Sequence, residues 1–231
     1  FDMKTFLIDK ITKLSKFFHS PPIQNNPILI ADNYGIKESF EYFKKPMEKS
    51  MLFQAVDEIR KYAFYQALKL EGNGSFCEFG VASGISMRLF ENIANEHSKK
   101  LYGFDSFSGI EENWTGTSKL TGSYSMKQIP TFGQNVEIIK GKVQETVTGF
   151  LELKKEAIYF AHLDMDTYMP TAYVLSNIKD RLISGSILLF DEFYGYHGWK
   201  EHEFKAFNES FDDKEYEYIA FGPSQVCVKI K

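Results

Sequence analysis

Carboxylates recur where the apolar runs of this chain stop. The run Ser75-Phe76-Cys77 meets Glu78 just before Gly80, and Leu101 to Phe104 ends on Asp105. Ile158 to Leu163 ends on Asp164 and Asp166, and Ser186 to Phe190 ends on Asp191 and Glu192. One acid after a strand is usually a turn former or a helix cap. Acids at four carboxyl ends, gathered on one edge, repel one another unless cations sit among them. The last four lie on strands expected to be neighbours, so their oxygens can converge. Hard oxygens with no cysteine beside them suit Mg²⁺, with Mn²⁺ or Ca²⁺ as second choices. A cation held there would bind an acceptor hydroxyl and lower its pKa. The competing reading is structural, with Asp166 capping a helix and Asp191 forming a turn.

The first two acids belong to a different chemistry. Glu78-Phe79-Gly80-Val81-Ala82-Ser83-Gly84 reads as a strand turning through glycines into a helix whose apolar face is Ile85, Leu89, Phe90 and Ile93. Such a turn receives nucleotide-like ligands. An acid two residues before the first glycine repels phosphate and suits a cationic amine, as in S-adenosylmethionine (SAM). Asp105, after the next strand, is placed to accept the two ribose hydroxyls of an adenosine ligand. NAD would use the same acid, but the three-glycine dinucleotide fingerprint is absent.

The elements that must position these groups follow from the hydrophobic pattern. Strands are expected at 75–79, 101–105, 136–140, 158–163 and 186–190, with helices at 50–70, 85–96, 143–153, 170–182 and 199–210. Tyr216–Ala220 and Gln225–Ile230, joined by a Gly-Pro turn, read as an antiparallel pair closing the sheet. Alternating strands and helices imply a mostly parallel sheet of seven strands with helices on both faces, whose ligands bind beyond the carboxyl ends of the strands. The polar stretch 106–134, with Trp114 and Tyr124, has the composition of a lid. Residues 4–18 read as a basic amphipathic helix, stopped by Ser20-Pro21-Pro22 and docked on the domain or on a second subunit of a homodimer; residues 21–48 read as irregular. The expected division is an N-terminal extension over 1–48 and a catalytic domain over 49–231.

Composition bounds the rest. A chain of 231 residues, 43% apolar and 25% charged, is a single globular domain. A net charge of −4 gives no footprint for nucleic acid. No apolar run reaches the ~20 residues of a membrane span. The two cysteines, Cys77 and Cys227, fall in strand-like runs and read as buried free thiols of a cytoplasmic protein. Of the histidines, His162 reads as a core residue, while His197 and His202, just past the fifth strand, are candidates for a general base.

The segments 78–86 (EFGVASGIS), 101–109 (LYGFDSFSG), 162–171 (HLDMDTYMPT) and 185–193 (GSILLFDEF) resemble the macrocin O-methyltransferase family. The resemblance covers about residues 50–210. It implies a Rossmann-like class I fold and SAM-dependent methylation of a hydroxyl on a small acceptor, a sugar or glycosylated metabolite. It implies Mg²⁺ on Asp164, Asp191 and Glu192, with Asp164 as the base. It extends the cofactor set from Glu78, Gly80, Gly84 and Asp105 to Phe79, Ser83, Ser86, Ser106, Phe107, Gly141 and Val143. Relatives often carry Asp-Asp where this chain has Asp191-Glu192, and Tyr194 to Lys200 departs from the family, so the acceptor's identity does not carry over. The rival readings are an NAD-dependent oxidoreductase and a SAM-binding scaffold without turnover.

Overall fold

The computed structural model describes residues 26–231. The expected helix at 4–18 and its proline stop lie outside them. The described elements are α1 (Pro27–Met47), β1 (Met51–Leu52), α2 (Val56–Ala67), β2 (Ser75–Phe79), α3 (Ile85–Glu96), β3 (Leu101–Asp105), β4 (Val136–Lys140), α4 (Val143–Leu153), β5 (Ile158–Leu163), α5 (Tyr168–Ile178), β6 (Leu182–Phe190), α6 (Glu203–Ser210), β7 (Tyr216–Phe221) and β8 (Val226–Ile230).

They form one sheet of eight strands in the order β1-β7-β8-β6-β5-β2-β3-β4. β6, β5, β2, β3 and β4 run parallel, and β8 is antiparallel to both β6 and β7. The chain goes outward from β2 to β4 and then returns to lay β5 on the other side of β2. That reversal leaves a crevice at the carboxyl ends of β2 and β5, where ligands of such sheets sit. The register puts Phe79 level with Leu163, and Leu163 level with Phe190, so the residues following these three strands stand in one row.

Each face of the sheet has its own core. Phe76, Phe160, Ile187 and Leu189 pack under α2 and α3 through Ile59, Phe64, Met87 and Phe90. Phe79, Phe104, Leu163, Leu188 and Phe190 pack under α4, α5 and α6 through Val147, Val174, Leu175 and Phe207. Both cysteines are buried free thiols, as expected. Among the described residues no helix is long and apolar enough to cross a membrane.

Four expectations need correction. Residues 27–47 are helical, because Pro27 occupies the first helical turn, where a missing N–H costs nothing, and Asn26 Oδ1 accepts the Ile28 N–H at 2.9 Å. This helix docks through one stripe: Gly35 lies against the Tyr196 carbonyl, Ser39 Oγ accepts the Gly195 N–H, and Phe43 is fully buried among Phe193, Trp199, Phe204 and Phe221. Burial of a phenylalanine at that depth contributes about 2–3 kcal/mol. Second, the helix expected from Ser50 starts only at Val56. Ser50 Oγ instead donates to the carbonyls of Pro46 and Tyr218, and Met51–Leu52 pair with Ala220–Phe221 as the strand that raises the count from seven to eight. Third, Ser184-Gly185 does not end a helix–strand turn: β6 begins at Leu182, and Gly185, at φ +95°, lies within the strand where its register with β5 shifts. Fourth, 199–210 is split into a 3₁₀ turn at Trp199–Glu201 and the short α6.

Candidate active site

The ladder runs one residue past each strand, and this fixes the acids. Gly80 donates to the Phe104 carbonyl at 2.9 Å, Asp164 to Phe79 at 2.8 Å, Asp191 to Leu163 at 3.0 Å, and Gly141 to Asp105 at 3.0 Å. A cleft with about 210 Å³ of interior space opens above this row. Gly80, Ala82, Asp105, Ser106, Gly141 and Val143 line one side of it, and Asp164, Asp166 and Glu192 line the other. Four of the five non-glycine residues with positive φ stand in or beside it: Ala82, Phe107, Tyr124 and Asp166. Strained backbone of this kind gathers at ligand sites.

On the glycine side, Asp105 is the organising group. Its Oδ2 accepts the N–H groups of Val81 and Ala82 at 2.8 and 2.7 Å, and Oδ1 accepts that of Phe107 at 2.6 Å. A carboxylate oxygen has two lone-pair directions, so Oδ1 keeps one free for a ligand hydroxyl. Glu78 is buried beneath the turn; Oε1 accepts from His162, and Oε2 has no partner. Gly84 starts α3 at φ +79°, and a Cβ there would meet the Phe132 ring at 2.6 Å.

On the acidic side, one oxygen each from Asp164, Asp166 and Glu192 lies within 4.8 Å of the others. Asp191 faces a different partner set. Its Oδ1 accepts from Arg60 Nη2 at 2.8 Å, Arg60 Nε at 3.2 Å and His162 Nε2 at 3.3 Å. Arg60 Nη2 is also 3.8 Å from Asp164 Oδ2. The chain Glu78–His162–Asp191–Arg60 therefore runs beneath both halves of the cleft. Asp166 does not cap α5: the N-cap residue is Thr167, which makes no capping hydrogen bond.

The charges set the titration behaviour. Burial opposes ionisation of His162, but hydrogen bonds to Asp191 and Glu78 raise it to about 10. Burial also opposes ionisation of Asp191, and His162 and Arg60 overcome it, lowering that carboxyl to about 2. The remaining acids have no such help. Burial and the charge of Asp191 push Asp166 up to about 7. Burial, then neighbouring carboxylates, push Asp164, Glu192 and Glu203 well above the ordinary range. A carboxyl raised on folding stabilises the fold below its unfolded value and loses that contribution as pH climbs through the folded value. For Asp166 that window runs from 3.8 to about 7. The metal-free protein is thus expected to show a falling Tm from about pH 4 to about pH 7, with Mg²⁺ restoring more of it at the upper end. A Tm that stays flat or rises over that window, measured in chelator, contradicts this electrostatic picture.

Of the residues expected from sequence, Gly80, Asp105, Ser106, Gly141, Val143, Asp164 and Glu192 meet in the cleft. Glu78 and Asp191 lie beneath it. Phe79 stacks on Phe104 at 4.7 Å on the core side and faces away. Ser83 is exposed, and Ser86 and Phe107 are buried without lining the cleft. The His197 side chain is exposed outside the cleft, and His202 Nε2 donates to the Thr115 carbonyl at 2.9 Å, tying segment 106–134 down. Two groups had not been singled out. Arg60 falls at helical spacing with Ala63, Phe64 and Ala67, a basic residue on an apolar face, and that pattern was its only signal. Glu203, fully buried, accepts the Glu192 N–H on Oε2 at 3.1 Å; nothing in the sequence distinguishes it from a surface acid.

Residues 77–193, just over half of the chain, match a family model described as a methyltransferase domain. No curated protein sequence matches the chain. Among solved structures, the fold is similar to that of CalS11, described as a calicheamicin methyltransferase, with a TM-score of 0.65 at 20% identity over 96% of this chain and 91% of that one. A ligand-free CalS11 structure, described as a TDP-rhamnose 3′-O-methyltransferase of calicheamicin biosynthesis, gives 0.58 at 20% identity over 96% and 93%. The O-methyltransferase NovP gives 0.58 at 18% identity over 76% and 79%. The matched span runs from β2 to the residue after Glu192 and so contains both halves of the cleft: the chain belongs to the methyltransferase-domain family, with the fold of the class I SAM-dependent methyltransferases.

Proposed function

We propose that this protein transfers the methyl group of SAM to a hydroxyl of a small acceptor, a sugar or glycosylated metabolite, assisted by a divalent cation, Mg²⁺ foremost. The observation that carries this reading is the meeting of Gly80 and Asp105 with Asp164, Asp166 and Glu192 in one cleft. The structural likeness to CalS11 and NovP, whose descriptions name O-methyl transfer, supports it.

The residues present fit both groups. Glu78 Oε2 and Glu192 Oε2 are buried oxygens without partners, and a buried acceptor left unpaired costs about 1–3 kcal/mol. Six acids (Glu78, Asp164, Asp166, Asp191, Glu192 and Glu203) face only Arg60 and His162 as buried cations among the described residues. Asp164, Asp166 and Glu192 would hold the cation, with Asp191 next to them. When bound, the cation supplies a lowered pKa for an acceptor hydroxyl. When bound, SAM supplies an electrophilic sulfonium methyl.

The chain's own groups do the rest. Asp105 accepts a ligand hydroxyl hydrogen through the free direction of Oδ1, and the Glu78 carboxylate, buried beneath the turn, favours a cationic amine in that half of the cleft. Arg60 and His162 keep Asp191 ionised and fixed. Of the three groups considered as base, Asp164 alone lines the cleft, so its carboxylate receives the acceptor's proton. Lys142, paired with Glu111 at 3.4 Å, stands at the cleft wall and leaves the acidic floor repulsive to free anions.

The test is methyl transfer from labelled SAM to a panel of free and nucleotide-linked hexoses. Transfer that falls about 10²-fold or more in chelator and returns with Mg²⁺ is the expected outcome. Calorimetric binding of NAD instead of SAM would point to the oxidoreductase, and tight SAM binding without transfer to any acceptor would point to a scaffold.

A further inference from the structure

Away from the cleft, the side of α1 holds a second concavity. Ile36, Phe40 and Met47 of α1 form one wall, and Phe53, Tyr194 and Pro223 form the other, around about 460 Å³ of interior space. Among the described residues, no charged side chain lines it. Ile36 and Phe40 are 52% and 50% exposed, and Leu29, two turns earlier on the same side of the helix, is 43% exposed. This side is not the docking stripe of α1. Gly35, Ser39 and Phe43 are the buried residues, and they lie about a quarter turn round the helix from Ile36 and Phe40. An uncharged groove flanked by an exposed apolar helix side marks a contact surface.

The spacing on that side selects the occupant. Leu29, Asn33, Ile36 and Phe40 advance by four, three and four residues. Leu7, Ile11, Leu14 and Phe18, the apolar face of the helix expected over 4–18, advance by four, three and four as well. Steps of this kind make the narrow seam on which two helices pack, and a lone polar residue such as Asn33 fixes the register of such a seam. Either set extends over about 16 Å of helix. Ser20-Pro21-Pro22 stops the expected helix and Pro27 starts α1. Residues 19–25 between them span at most about 25 Å, enough to reverse the chain. Laid antiparallel, the two seams meet in layers: Phe18 with Leu29, Leu14 with Asn33, Ile11 with Ile36 and Leu7 with Phe40. The last two layers fall at the groove, and Lys13 and Lys16 turn away from it toward water.

We propose that residues 4–18 fold back antiparallel along α1 of their own chain and fill this groove, with Ile11 on Ile36 and Leu7 on Phe40. A second copy of the chain offers the same apolar face, but a short covalent link holds the chain's own segment at an effective concentration of order millimolar. The far wall of the groove includes Tyr194 and Gly195. They follow Glu192 closely, and the His197 carbonyl just beyond them lies against Gly116 of segment 106–134. The docked segment therefore braces the loop that leads from the acidic half of the cleft to its neighbouring segment.

The experiment uses the full chain carrying Ile11→Cys with Ile36→Cys. Cys77 and Cys227 are buried free thiols and stay out of the reaction. Under mild oxidation the introduced pair is expected to close a disulfide within one chain, read on non-reducing gels and by peptide mass mapping. Closure should be about tenfold or more faster than for Ile11→Cys with Leu153→Cys, whose second site is exposed on α4. Closure no faster than in that control overturns the proposal, and so do disulfides that join two chains. Thermal melts give an independent readout. Ile11→Asp is expected to lower Tm by about 3–6 °C, and Lys13→Asp, on the outer side, by less than about 1 °C. In a chain that already carries Ile36→Asp, adding Ile11→Asp should lower Tm no further. Additive shifts, or equal shifts from Ile11→Asp and Lys13→Asp, overturn the contact.

Discussion

Asp164→Ala is expected to lower kcat for methyl transfer by about 10³-fold, with the affinity for S-adenosylhomocysteine within about twofold of wild type. Asp164 follows β5 directly and is the acid common to both clusters of groups that could hold a cation, one with Glu78 and His162, the other with Asp166 and Glu192. Its removal takes away a proposed ligand and the proposed base together. The backbone contribution survives, because the Asp164 N–H still donates to Phe79. The fold should not suffer either. The carboxyl is pushed up by burial and by Asp191, which means the metal-free protein is destabilised by its charge. A Tm in chelator equal to or above that of wild type, alongside the loss of turnover, separates a chemical role from a structural one. Full activity in saturating Mg²⁺ would refute the assignment.

Gly80→Ala is the substitution expected to damage the molecule most. Gly80 sits at φ +93°, and a Cβ there would lie 1.7 Å from the Asp164 carbonyl oxygen and 2.6 Å from its carbon. Both are backbone atoms held in the ladder, so no side chain can move aside. The β2–β5 crevice must open, which separates Asp105 from Asp164. A loss of about 3–5 kcal/mol in stability, with SAM binding abolished, is the expected result by chemical denaturation and calorimetry. Gly122→Ala is the control. Gly122 has φ +84° but nothing within 4 Å of its Cβ position, so it reports backbone strain alone, about 1–2 kcal/mol. Equal costs at the two sites would show that close approach at Gly80 does not matter.

The legible part of the fold was the part built from long apolar runs. β2 to β6, and the acids ending four of them, stood out because a buried parallel strand is a continuous apolar stretch and its stop is abrupt. The helix over 27–47 was hidden by prolines that read as breakers; Pro27 instead starts the helix, and Pro46 falls in its last turn. β1 is two residues whose partner, in β7, lies at the other end of the chain, a pairing that no local pattern announces. Within the site, residue types were visible but directions were not. Asp191 and Glu192 are adjacent in sequence, yet Asp191 gives its Oδ1 to Arg60 and His162 while Glu192 faces the cleft. His202 had the residue type of a base but serves as an anchor for segment 106–134. Long-range contacts decide such roles, and they exist only once the sheet order is known.

The central claim is that one cleft joins two separable halves, a methyl-donor half organised by Asp105 and a cation half organised by Asp164. Crossed calorimetric titration of Asp105→Ala and Asp164→Ala, each with S-adenosylhomocysteine and with Mn²⁺, tests it most directly. Asp105→Ala should lose about tenfold or more in nucleoside affinity and keep its Mn²⁺ affinity, and Asp164→Ala should do the reverse. Loss of both affinities in either variant, or of neither in both, would contradict the two-part site.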